Sequence, residues 1–129
     1  MGRPTVGAGN GGDRSLSKSD AVVVMDGKRL IGVDNFHSEF ATTFGFPDFY
    51  GRNMDAWIDC MGYLDDPDAG MSTLTVEPGN AVTIRIDNYE HFKQAAPKQW
   101  IDLLECAAFV NWRRTEEGCG AILALAFYG

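Results

Sequence analysis

Residues 49–60 read Phe49-Tyr50-Gly51-Arg52-Asn53-Met54-Asp55-Ala56-Trp57-Ile58-Asp59-Cys60. The order is an aromatic pair, a glycine turn, an asparagine and then two aspartates four residues apart. An Asn side chain accepts a hydrogen bond from the free N–H groups of a first helical turn, so Asn53 predicts a helix beginning at Met54. Met54, Trp57, Ile58, Met61 and Leu64 make its inward apolar stripe. The i, i+4 spacing stacks Asp55 and Asp59 on another side, where like charges repel by roughly a few tenths of a kcal/mol. A pair placed against its own stability invites a functional reason, a rigid anionic surface that docks onto a basic partner. Asp55 also has a structural reason, because the helix dipole favours a negative charge in the first turn by about 0.3–1 kcal/mol. At Asp59 that benefit has faded, and Asp is a poor helix former. Asp59 is the stronger functional candidate.

The rest of the chain bounds the answer. Its 129 residues suffice for one domain with a single core. Eleven basic against eighteen acidic residues give a formal charge of −7. Six acids (Asp48, Asp55, Asp59, Asp65, Asp66 and Asp68) fall between Asp48 and Asp68, with only Arg52 among them. Phosphate backbones and anionic lipid repel such a surface, so neither nucleic acid nor membrane is the expected partner. A basic protein is. The plain alternative is a solvated face kept for solubility.

Cys60, Cys106 and Cys119 are odd in number and form no CxxC pair, which speaks against a disulfide framework or zinc site and for a reducing compartment. There is no charged leader with an apolar core and no apolar run of about 18 residues, so a cytoplasmic, non-membrane protein is expected.

Residues 1–19, rich in Gly and Ser and poor in large apolar side chains, are expected to be a flexible tail before a domain at 20–129. Ala21–Met25 predicts a buried strand ending at Asp26-Gly27. Asp34 can cap a helix with Phe36, Phe40, Ala41 and Phe44 inward, closed by Gly45 and Pro47. The polar stretch from Asp65 to Asn80 predicts loop with a short strand around Leu74–Val76. Ala81–Ile86 alternates as a strand, and Asp87-Asn88 can cap a short helix through Phe92. Pro97 opens a long helix with Ile101, Leu104, Ala108 and Trp112 inward, and Ala121–Phe127 is a last apolar strand. Strands separated by helices predict an α/β fold, a small three-stranded parallel sheet covered by about four helices.

In that order, over roughly residues 20–129, the chain resembles the barstar family of ribonuclease inhibitors. Pro47-Asp48-Phe49-Tyr50-Gly51-Arg52-Asn53-Met54-Asp55-Ala56, Asp59-Cys60 and Glu117-Gly118-Cys119 carry the resemblance. It implies an inhibitor in which Asp59 enters the ribonuclease active site at the phosphate position and Asp55 pairs with basic groups beside it. Phe49, Tyr50, Gly51 and Asn53 would shape the inhibitory loop, and Met54 and Ile58 complete the expected partner-binding set. Cys60 and Cys119 belong to the family pattern.

Three departures stand out. Trp57-Ile58 reverses the family's order before the second aspartate. Arg113 stands where the family's fourth helix has an acid. The stretch from Asp65 to Asn80 is longer.

Other chemistries find less support. His37 and His91 show no nucleophile spacing. Asp65-Asp66-Pro67-Asp68 lacks the EF-hand spacing because Gly70 falls where a ligand is needed. No cofactor, no metal and no catalytic residue is expected, and the molecule is expected to be a monomer. The expected function is intracellular inhibition of a ribonuclease. The alternative is a module of the same fold for a different basic protein.

Overall fold

A computed structural model describes residues 20–129, so the tail expected at 1–19 lies outside the described residues. Three strands, β1 (Ala21–Asp26), β2 (Val82–Asp87) and β3 (Leu123–Tyr128), form one parallel sheet in the order β1-β2-β3. Val23, Ile84 and Leu125 stand in one register row across it. Parallel neighbours need crossover connections. The first carries helices α1 (Val33–Phe44) and α2 (Met54–Met61), and the second α3 (Tyr89–Ala95) and α4 (Pro97–Glu116). The expected architecture of three parallel strands with four helices is the one observed.

Among the described residues only one face of the sheet is covered. Val23, Met25, Val82, Ile84, Ile86 and Leu123 are buried, whereas Val22 and Val24 on the opposite face are 65% and 54% exposed. The expectation of a buried first strand therefore holds for alternate residues only. A continuous β-branched run reads the same whether one face or both are packed. On the open face Arg85 lies 4.1 Å over the ring of Tyr128 and pairs with Asp87.

Phe36, Phe40, Phe44 and Trp57 form an aromatic layer between α1 and α2. α1 starts after Gly32, with no side-chain cap, and Asp34 falls in its first turn instead of capping it. Gly45 ends it at φ 68°, as its position predicts. A Cβ there would fall 2.5 Å from the Thr73 side chain, so both backbone and packing require glycine.

Two further expectations fail in detail. No strand forms at Leu74–Val76; Leu74 N–H bonds to Phe44 and Val76 N–H to Leu64, single ties to different segments in place of a ladder. The inward face of α4 is Leu103, Ala107 and Val110, whereas Ile101 and Trp112 are 47% and 56% exposed. Apolar residues occupy several phases of this helix, so periodicity alone does not orient it. Asn111 helps to do so, because its Oδ1 accepts from Ile122 and Leu123 N–H and its Nδ2 donates to Leu123 O. Those bonds tie that side of α4 to the start of β3.

Candidate functional site

The turn before α2 is held from the α1 side. The Tyr50 hydroxyl lies 2.6 Å from His37 Nδ1, and the Tyr50 ring packs on Phe46. Arg52 adopts φ 55° and donates to Asp34 O and Ser38 Oγ, which ties the turn to the first half of α1. Asn53 caps α2 as its sequence position predicts, its Oδ1 accepting from Ala56 N–H at 2.8 Å. At Gly51 a Cβ would lie 3.3 Å from Asn53 Nδ2, so any side chain there crowds the cap.

On α2, Trp57, Ile58, Cys60 and Met61 are buried while Asp55 and Asp59 face outward. Asp59 is thus an exposed carboxylate whose flanking residues on both sides are locked into the core. Its side chain is not alone. Arg113 of α4 brings Nη2 to 3.3 Å from Asp59 Oδ1, with 39% and 57% of the two side chains exposed.

Next to this pair, Arg114 and Asp65 form a more buried clamp. Their side chains are 12% and 16% exposed, and Nη2–Oδ2 is 2.7 Å. Arg114 also donates to Gly62 O and Gly120 O, binding the ends of α2 and α4 to the chain entering β3. The acidic run from Asp48 to Asp68 is therefore not uniform. Asp65 is structural and Asp59 is paired, whereas Asp48, Asp55, Asp66 and Asp68 form no ion pair with a described residue.

Of the expected partner-binding positions, Phe49 is 74% exposed at the turn, and Gly51, Asn53, Asp55 and Asp59 are also exposed. Tyr50 and Met54 are half-buried. Ile58 is only 9% exposed and belongs to the core, as the apolar stripe of α2 requires. Sequence reasoning passed over two supports of the turn, His37 and Arg52. His37 does precede Phe40 and Phe44 by three and seven positions, which sets it beside the inward stripe. Nothing local signals the contacts of Arg52.

Burial pushes the Cys60 thiol up to about 11, helped by the Asp59 charge, and burial also raises Cys106. Both remain protonated at neutral pH and neither is an activated nucleophile. Among the described residues no cluster of His, Cys, Asp and Glu is arranged to hold a metal ion, and no helix is long and apolar enough to cross a membrane.

His37 is 4% exposed, and burial, with the Arg52 charge next, lowers its pKa, against opposing effects of Asp34 and Asp102. The Tyr50 hydroxyl, itself kept protonated by burial, can donate to Nδ1 only while the imidazole is neutral. A base with a depressed folded pKa binds fewer protons folded than unfolded. Its contribution to stability is therefore complete above the ordinary histidine value of about 6.5 and declines as pH falls below it. Urea midpoints measured between about pH 7.5 and 5.5 (one unit either side of that value) should fall for the native chain and fall less for His37→Gln. Parallel curves would mean that His37 does not titrate differently in the fold.

These features describe a small α/β protein that presents a capped acidic helix and the aromatic turn before it. Over residues 21–124 the chain matches the family model described as Barstar (barnase inhibitor), and it belongs to the barstar family. It is also 37% identical over 46 residues to a Bacillus subtilis (strain 168) protein named "Putative ribonuclease inhibitor YrdF". That match covers 35% of this chain and 50% of the relative.

Proposed function

We propose that this chain is a protein inhibitor of a ribonuclease, acting by placing Asp59, with Asp55 beside it, among the cations that hold RNA phosphate. The observation that carries this reading is the setting of Asp59, 57% exposed between buried Ile58 and buried Cys60 on a capped helix. A carboxylate so fixed loses little freedom on binding, so little of its electrostatic gain is spent on ordering. Charges about 4 Å apart attract by about 1 kcal/mol in water and about 4 kcal/mol at an effective dielectric of 20, so covering the site strengthens the pairing. Phe49 and the half-buried Tyr50 and Met54 would line the approach, and Gly51 and Asn53 would keep the turn in shape. The membership of the chain in the barstar family supports the same reading.

As an inhibitor the chain would work as a cytoplasmic monomer that protects the cell from the enzyme, without catalysing a reaction. Ribonuclease assays on enzyme purified from the source cells, with and without this chain, test it. Stoichiometric loss of cleavage is expected, and binding without loss of cleavage would favour a different basic partner. The pairing of Asp59 with Arg113 gives that second reading its support, because it tempers the charge aimed at a phosphate site.

Electrostatic steering has a further consequence. The association rate should fall steeply, by tenfold or more, between about 0.05 and 0.5 M salt, because the Debye length shrinks from roughly 14 to 4 Å. A flat dependence in stopped-flow mixing would leave the acidic run with a solubilising role only.

A further inference from the structure

Asp59 carries a cation of its own chain wherever it goes. Arg113 Nη2 stands 3.3 Å from Asp59 Oδ1, and the guanidinium carbon lies 5.7 Å from the centroid of the Phe109 ring. Phe109 packs in turn against Trp112, ring centroids 5.7 Å apart. Phe109 and Trp112 are 42% and 56% exposed, so carboxylate, guanidinium and two rings form one continuous surface across α2 and α4.

A partner that covers Asp59 must cover Arg113 as well, since the two charged groups touch. While both are in water their pair adds little stability and constrains nothing. Once covered, Asp59 is drawn to the partner's cations, and Arg113 is pressed against those same cations with the wrong sign. A guanidinium cannot escape by releasing its proton. A buried charge without a counter-charge is strongly disfavoured, and like charges set face to face act against the wrong partner. The neighbouring Asp65 offers no relief, because its charge is already met by Arg114.

Resting on the inhibitor reading above, we infer that Arg113 is a specificity-determining residue of this surface. It fits a ribonuclease that sets a carboxylate at the rim of its phosphate-binding cations, opposite Arg113, and it rejects enzymes whose rim is basic throughout. Recognition then has two signs, with Asp59 reading the cationic floor of the site and Arg113 an acidic group on its edge. The ring of Phe109, backed by Trp112, flanks the guanidinium with apolar surface that helps to exclude water from that second pair.

Barnase, the enzyme named in the family's description, serves as the probe. Kd and association rate are measured for the native chain and Arg113→Glu against barnase. The same pair is measured against barnase variants in which each Lys and Arg bordering the active site is changed singly to Glu. Arg113→Glu should bind unmodified barnase at least tenfold more tightly than the native chain does. At least one Glu-bearing variant should reverse that order, which loss of folding in either protein would not do. Thermal midpoints of the two chains, expected to agree, exclude a stability artefact. Equal binding of both chains to every form of the enzyme would overturn the inference and leave the inhibitor reading standing. Failure of both chains to bind any form of the enzyme would also overturn the inference, while the inhibitor reading stands or falls on the ribonuclease assays described above.

Discussion

Asp59→Ala should weaken binding to the target ribonuclease by about two to four orders of magnitude, almost all of it as faster dissociation. The magnitude follows from removing one member of a covered charge pair, which costs about 3–5 kcal/mol because the other charge is left buried and unmet. The thermal midpoint should move by no more than about 2 °C, since an exposed substitution away from caps and core changes stability by roughly 0.5 kcal/mol or less. Asp59 meets that description: it lies beyond the first turn of α2, its side chain is 57% exposed, and its bond to Arg113 joins two partly solvated groups. Dissociation followed by surface plasmon resonance checks the prediction. An unchanged rate with intact affinity would take Asp59 out of the interface. The same substitution separates Asp59 from Asp55, whose place in the first turn gives it a stabilising role through the helix dipole that Asp59 lacks.

Phe40→Ala should lower the unfolding free energy by about 3–5 kcal/mol and the thermal midpoint by roughly 12–20 °C, at about 4 °C per kcal/mol for a domain of this size. Phe40 is fully buried, with ring centroids 4.8 Å from Phe36, 5.8 Å from Phe44 and 5.6 Å from Trp57. Removing its ring strips partners from three aromatic residues at once and leaves a cavity in the buried layer. This layer also joins α1 to α2, so it supports the acidic helix from below. Chemical denaturation gives the measurement; a loss under about 1 kcal/mol would mean that the two helices are held together mainly by other contacts.

What the amino-acid order reveals depends on the range of the forces involved. The start of α2 at Asn53 and the end of α1 at Gly45 were legible because capping and left-handed backbone are matters of one to four adjacent residues. The alternation in β2 identified its core face for the same reason. By contrast, the run at β1 predicts a buried strand, yet Val22 and Val24 are exposed, since nothing in a β-branched run says how many faces the remaining elements can cover. In the site, the outward aspartates were visible from spacing, but the His37–Tyr50 bond and the anchoring of Arg52 join segments that no motif links.

Amino-acid order alone was enough for the order of the three sheet strands and four helices, the parallel α/β class, the capped acidic helix and the outward face it gives Asp59. Each rests on neighbours within a helical turn or on strict alternation. The rotation of α4, the open side of the sheet and the meeting of Asp59 with Arg113 came from packing. α4 offers several apolar phases of similar merit, and the pairing joins residues 54 positions apart, so each was settled when distant surfaces closed on one another.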